Sequence, residues 1–277
     1  MDNHLNTEDY QDPVCPFDVE RFRDEPTVHS VNIGRVIEKV EEYYASDDYS
    51  GAERHLKYWL SEAELGHDKR GALSIHNELM GLYRKTGNRE KAFENAIKAA
   101  DLVSELGLGG TVTAGTTYLN AGTVYKEFGE QEQSLDCFEK ALNIYETQLP
   151  ADDPRMGGLY NNMAITLAGM EKYDLAFAYF EKALGIMEHA EHGALEQAIT
   201  YLNMADAVNA RDGAVAGADV IDGYLDTAQS LLDSPDLPRN GYYAFVCRKS
   251  APTFSYFGRF FYSRELEKRA DMIYAGT

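Results

Sequence analysis

The sequence predicts an all-α protein in which about six helix–turn–helix units stack into a right-handed superhelical α-solenoid. Three observations support this fold. Apolar residues recur with helical spacing along most of the chain, short polar or glycine-containing turns interrupt them, and small residues return every 42 residues. One series of these small residues is Ala92, Ser134 and Ala176, and a second series is Ala99, Ala141 and Ala183.

The three central units share one order of elements. Residues 77–103 predict a helix, a turn at residues 86–88 and a second helix, and residues 118–145 repeat this order with the turn at Gly129. The next unit places its turn near Glu171. Glycine suits such a turn because it adopts the left-handed conformation at a helix end without strain. The predicted helix pairs span residues 31–62, 70–106, 112–149, 154–190, 194–233 and 239–275.

A set of small, aromatic and turn residues recurs from unit to unit. In the third unit the set is Gly122, Tyr125, Gly129, Ser134, Phe138 and Ala141. This pattern resembles the tetratricopeptide repeat over about residues 31–277, and its 42-residue spacing resembles the long repeats of kinesin light chains. The resemblance implies a concave groove, lined by the first helix of each unit, that binds extended peptides or partner helices. A chaperone-tail clamp is not expected, because Glu78 stands where that clamp needs an amide.

Asparagines recur at the same place in the first helices. Asn120, Asn162 and Asn203 are separated by 42 and 41 residues, and Asn77 and Asn161 lie one position earlier in their own units. An amide both donates and accepts hydrogen bonds, so a row of amides can hold a peptide backbone without reading its side chains. The family resemblance supports this function as a backbone clamp. The alternative is that each asparagine bonds a neighbouring helix or caps a loop.

Basic residues fall on the same first helices. Arg84 and Lys126 lie near the ends of two of them, and Arg248 and Lys249 lie in the last unit. A basic groove would select an acidic peptide or a C-terminal carboxylate, whereas the alternative is a set of solvated helix ends that complement the helix dipole. The predicted peptide-binding residues are Asn77, Arg84, Asn120, Lys126, Asn161, Asn162, Asn203, Arg248 and Lys249.

The charge balance limits the partners. Lys and Arg number 26 against 46 Asp and Glu, so the net charge of −20 disfavours nucleic acid and anionic membranes. No apolar run approaches the ~20 residues that span a bilayer. The first residues show no signal-peptide pattern, and three widely separated cysteines are typical of a reducing compartment. We therefore expect a cytoplasmic protein.

The two ends of the chain raise separate hypotheses. Residues 1–30 form an acidic and partly flexible arm, which serves either as a solubilising tail or as an internal ligand of the basic groove. In the last unit, Leu266, Ile273 or Tyr274 is expected to be exposed and to support a homodimer, because repeat arrays normally need a polar cap.

No sequence motif indicates catalysis. The chain has no phosphate loop, nucleophile elbow or dinucleotide fingerprint, and His189 with His192 lacks the order of a zinc-protease helix. The sequence therefore predicts no enzyme, no metal and no cofactor. The predicted function is a protein-interaction module that binds a peptide in its concave groove. The alternatives are a self-associating scaffold, whose groove holds its own arm or a second subunit, and, with least support, a metal-dependent hydrolase.

Overall fold

The computed structural model describes residues 28–191 and 193–276, and the chain forms twelve α-helices and no strand within them. The predicted all-α class is confirmed. The acidic arm predicted for residues 1–30 lies almost entirely outside the described residues. The helices are α1 (Ile33–Ala45), α2 (Tyr49–Leu65), α3 (Lys69–Lys85), α4 (Arg89–Glu105), α5 (Val112–Glu127), α6 (Gln131–Gln148), α7 (Pro154–Gly169), α8 (Tyr173–Met187), α9 (Gly193–Ala216), α10 (Ala218–Leu232), α11 (Gly241–Tyr256) and α12 (Phe260–Ala275).

Consecutive helices pair into six units, from α1 with α2 to α11 with α12. In each of the first four units, the second helix also packs on the first helix of the next unit. This arrangement is an α-solenoid of stacked helix pairs. The three central units have the predicted boundaries, with turns at Gly87, Gly129 and Glu171. These residues have φ angles of 69°, 80° and 61°, so all three turns use the left-handed conformation. Of these three residues, only Glu171 carries a side chain, and a side chain disfavours the left-handed conformation.

The second helices present one repeating apolar position to the core. This position, here called the core position, is fully buried as Phe138 in α6, Phe180 in α8 and Leu225 in α10. Glycine makes room for the ring: a Cβ added to Gly122 of α5 would lie 2.5 Å from the Phe138 ring. The two helices of a pair can therefore pack closely, because a small residue of one helix faces a large residue of the other.

The last unit departs from the expectation of exposed apolar residues. Leu266 is fully buried in the core of its own unit, and Ile273 and Tyr274 are half-buried, so the predicted exposure of Leu266 was wrong. At the core position, α12 carries an exposed glutamate, Glu267. Among the large apolar side chains of this helix, Phe261 is the most exposed, at 89 %.

Candidate binding groove

The first helices of successive units contact one another along the array, α1 with α3, α3 with α5, and so on to α9 with α11. The second helices of adjacent units scarcely touch in the part of the chain that the structure describes. The first helices of adjacent units therefore lie closer to one another than the second helices do, so the first helices line the inner surface of a curved array. A cavity of about 310 Å³ opens on this surface and is lined by Ile37, Asn77, Glu78, Thr117 and Asn120, among others.

The asparagines of the second and third units bond each other. Asn120 Nδ2 donates to Asn77 Oδ1 at 2.9 Å, which links α5 to α3. Asn77 Nδ2 in turn donates to the Leu73 carbonyl at 3.0 Å and to Thr117 Oγ1 at 3.2 Å. All of these polar side chains except that of Thr117 remain partly exposed. The pair therefore stabilises the contact between two units while it lies on the groove surface.

The later asparagines follow the same arrangement. Asn203 Nδ2 donates to Asn161 Oδ1 at 3.1 Å, between α9 and α7. Asn162 Nδ2 donates to the Gly158 carbonyl at 2.9 Å, and Asn162 Oδ1 accepts a hydrogen bond from Lys126 Nζ at 2.7 Å. The amides thus bond neighbouring helices, which agrees with the alternative to the peptide clamp. Their function as a peptide clamp stays a prediction.

Three of the predicted basic residues come together in the groove. Burial, together with the positive charges of Lys249 and Arg84, lowers the pKa of Lys126 to about 8, against the opposing charge of Glu127. The pKa of Lys249, whose side chain is still exposed, is lowered by reduced solvation and by the charge of Arg84, and the carboxylates of Glu196 and Glu127 oppose this shift. The side chains of Arg84 and Lys249 form no hydrogen bond or ion pair within residues 28–276 as described. Cations of the second, third and sixth units therefore lie close enough to repel one another.

The fourth basic residue has another environment. Arg248 Nη2 donates to Asp271 Oδ1 at 2.9 Å, and its guanidinium lies 4.6 Å from the centre of the Tyr274 ring. Both partners belong to α12. Arg248 therefore connects the two helices of its own unit.

Sequence reasoning missed several residues of the inner surface. Tyr242 and Phe245 of α11 are both partly exposed and stack with ring centres 6.2 Å apart. The Tyr242 hydroxyl donates to Glu196, and burial raises the pKa of Glu196. The helical spacing of Tyr242, Phe245 and Lys249 was a usable signal, because residues three and four apart share a helix face.

No cluster of three or more potential metal ligands occurs among the described residues, and His192 of the predicted histidine pair lies outside them. Within the same residues, no helix is long and apolar enough to cross a membrane.

Comparison with known families gives the class of protein. Tetratricopeptide repeat patterns match residues 71–147 and residues 158–190. The chain therefore carries tetratricopeptide repeats in these two segments. The 42-residue spacing of these repeats resembles that of kinesin light chains, and the solved structures described next share the fold. Repeats of this class form protein-interaction modules.

Solved structures share the fold at low identity. BtubC (BKLC) from P. vanneervenii is 20 % identical, with a TM-score of 0.61, over 75 % of this chain and 85 % of that one. The apo form of RapI is 16 % identical, with a TM-score of 0.55, over 92 % of this chain and 86 % of that one. A putative kinesin light chain of Podosopora anserina is 13 % identical, with a TM-score of 0.50, over 74 % and 95 %. No curated protein matches the chain.

Proposed function

We propose that the inner groove binds an extended acidic segment or a free C-terminal carboxylate of a protein partner, and that the protein is a non-enzymatic cytoplasmic adaptor. The observation that carries this proposal is the meeting of Arg84, Lys126 and Lys249, which come from the second, third and sixth units. Their charges lie together inside a protein whose net charge is −20.

The lowered pKa of Lys126 gives the physical reason. Like charges that approach in a sheltered site raise each other's free energy, and an anion bound between them removes that penalty. A carboxylate would also accept hydrogen bonds from an ammonium and a guanidinium at once. The stacked rings of Tyr242 and Phe245 lie on the same helix as Lys249 and offer an apolar contact for a residue next to the anion.

The test compares two double variants of equal charge. Arg84→Ala with Lys249→Ala removes two groove cations that make no internal bonds. Arg264→Ala with Lys268→Ala removes an arginine and a lysine from the exposed side of α12, and it serves as the matched control. Synthetic acidic peptides with a free or an amidated C-terminus are titrated against each protein by fluorescence anisotropy.

We expect the groove variant to bind the acidic peptides at least tenfold more weakly, a loss of about 1.4 kcal/mol, while the control variant binds like the wild type. A preference for the free carboxylate identifies a chain end as the ligand, and equal binding of both peptides identifies an internal acidic segment. Equal losses of peptide affinity in the two variants would refute binding in the groove, because they would indicate only a general effect of the protein's charge.

The second candidate function is self-association as a scaffold, and one observation favours it. Phe260, Phe261 and Met272 are exposed on α12. Light scattering across a range of protein concentrations tests this candidate, with Phe261→Glu as the variant. A mass that rises with concentration in the wild type and not in the variant would support it. A constant monomer mass would exclude it.

A further inference from the structure

A second cavity lies on the outer surface of the array, away from the groove. It has a volume of about 510 Å³ and opens between α4 and α6, with α5 below it. Tyr118 and Tyr125 of α5 contribute to its lining, together with Cys137 of α6. Ile97 and Ala100 of α4 form the opposite wall. We call this cavity the outer notch.

The notch exists because α4 departs from the repeat at three neighbouring positions. Shifting the sequence by one and two periods of 42 residues shows what the equivalent helices α6 and α8 carry there. In α4 the core position carries a small residue, and so does the position four residues later. The position directly after the core position is apolar in α4 but acidic in α6 and α8. The three sets are Ala96 with Phe138 and Phe180, Ala100 with Leu142 and Leu184, and Ile97 with Glu139 and Glu181.

These changes act together on the surface. Ala96 and Ala100 take less volume than the phenylalanines and leucines of the other units, so space remains above α5. Ile97 is 55 % exposed at the rim of that space, where the repeat otherwise places a solvated glutamate. A single exposed isoleucine is ordinary, but an exposed isoleucine beside an open cavity with an aromatic lining is a surface that a partner can bury.

The charges around the notch identify the partner. Asp101, Glu132 and Asp136 line it, against one lysine, Lys140. Lys140 bonds Asp136 at 2.7 Å and lies over the Tyr118 ring, so its charge is already compensated. Asp101 and Glu132 form no ion pair in the described part of the chain. The notch therefore presents an apolar floor and two uncompensated carboxylates.

We propose that the outer notch is a second docking site, which receives one large apolar side chain of a partner segment flanked by lysine or arginine. Its ligand is opposite in charge to the ligand of the groove. The two sites lie on opposite rows of helices, so one molecule can bind two different segments at once, and the notch does not depend on the function of the groove.

The decisive variant is Ala100→Leu, because it closes the notch without a change of charge. Leucine is already the residue at this position in α6 and α8, so the variant copies the repeat and is expected to fold. The matched control is Ala178→Leu, on the exposed face of α8. The probes are short synthetic peptides with a single central leucine, phenylalanine or tryptophan, flanked either by lysines or by serines.

We expect a lysine-flanked peptide to bind the wild type saturably and to bind Ala100→Leu at least tenfold more weakly, with Ala178→Leu unchanged. Serine-flanked peptides should bind several-fold more weakly than their lysine counterparts. If Ala100→Leu binds as well as the wild type, the attraction is only the general negative charge of the protein, and the proposal fails. It also fails if no lysine-flanked peptide saturates below about 1 mM.

Cys137 supplies a readout that needs no variant. Burial raises the pKa of its thiol to about 11, so alkylation is slow and can be followed under mildly alkaline conditions. A peptide in the notch should slow the modification of Cys137 at least several-fold, as mapped by mass spectrometry. Modification at an unchanged rate under saturating peptide would place the peptide elsewhere and would overturn the assignment.

Discussion

The most direct prediction concerns the charge of Lys126 and the affinity of the groove. The pKa of Lys126 is about 8, compared with an ordinary value of 10.5, because the site is buried and two other cations lie near it. If an acidic ligand binds the protonated lysine, binding must weaken as pH rises through this value. The carboxylates of the ligand stay ionised throughout, since their pKa values lie near 4.

The magnitude follows from the pKa. A group with a pKa of about 8 is about 90 % protonated at pH 7 and about 10 % at pH 9. The dissociation constant of an acidic peptide should therefore rise by about tenfold between these pH values, which corresponds to about 1.4 kcal/mol. Lys126→Arg should bind with little pH dependence from this position, because a guanidinium does not titrate in this range.

Anisotropy titrations at constant ionic strength measure both proteins. Constant salt is required because screening changes the same interaction. An acidic peptide that binds the wild type equally at pH 7 and pH 9 would refute the reasoning. So would an equal decrease in Lys126→Arg, since the titrating group would then be another residue.

The same pKa sets the sign of a stability effect. Folding lowers the pKa of Lys126, so the folded state disfavours its charged form. The penalty is present below pH about 8 and disappears as pH rises towards 10.5. The contribution of Lys126 to the unfolding free energy therefore increases with pH in this window, and Lys126→Met should remove that increase. Urea denaturation at several pH values measures it.

Three further predictions test the packing and the charges of the array. Gly122→Ala places a Cβ 2.5 Å from the ring of Phe138 and should destabilise the fold by about 1–3 kcal/mol, whereas Gly158→Ala, with no atom within 4 Å, should stabilise it by about 0.5–1 kcal/mol. Phe180→Ala removes a fully buried ring and should cost about 3–5 kcal/mol by chemical denaturation, and a cost below about 1 kcal/mol would contradict the packing. Hydrogen bonds from lysines lower the pKa of Glu53 to about 2. The carboxylate of Glu53 should therefore stabilise the fold above its ordinary pKa of 4.5, and this stabilisation should be lost as pH falls towards 2. Acid denaturation curves of Glu53→Gln should lack this loss.

The helices and their turns were predictable because they depend on local sequence. Apolar spacing determines where a helix can bury a face, and Gly87 and Gly129 mark positions where the chain must take a left-handed conformation. The row of asparagines was visible for the same reason, since a repeat returns equivalent positions at a constant interval. Its hydrogen bonds were not visible, because a period does not tell whether Asn120 bonds a ligand or bonds Asn77.

The last unit shows where local reasoning failed. Leu266 was expected at the surface because no helix follows its unit in the sequence. The structure buries it against its own unit, since α12 uses one face for its helix pair and turns Glu267 outwards. Exposure depends on which face of a helix finds a partner, and the sequence pattern of one helix does not specify that face when it carries apolar residues on two sides.

The sequence by itself therefore determined the class of this protein: its helices, its turns, its period of 42 residues and its resemblance to kinesin light chain repeats. Only the tertiary structure decided which side chains meet. Arg84 and Lys249 are far apart in the chain, and the curvature summed over the intervening units brings their charges to Lys126. The outer notch arises in the same way, because missing volume in α4 becomes a cavity only when α5 and α6 pack beside it. Local interactions form the units, whereas the sites form between units, where distances depend on the packing of the whole array.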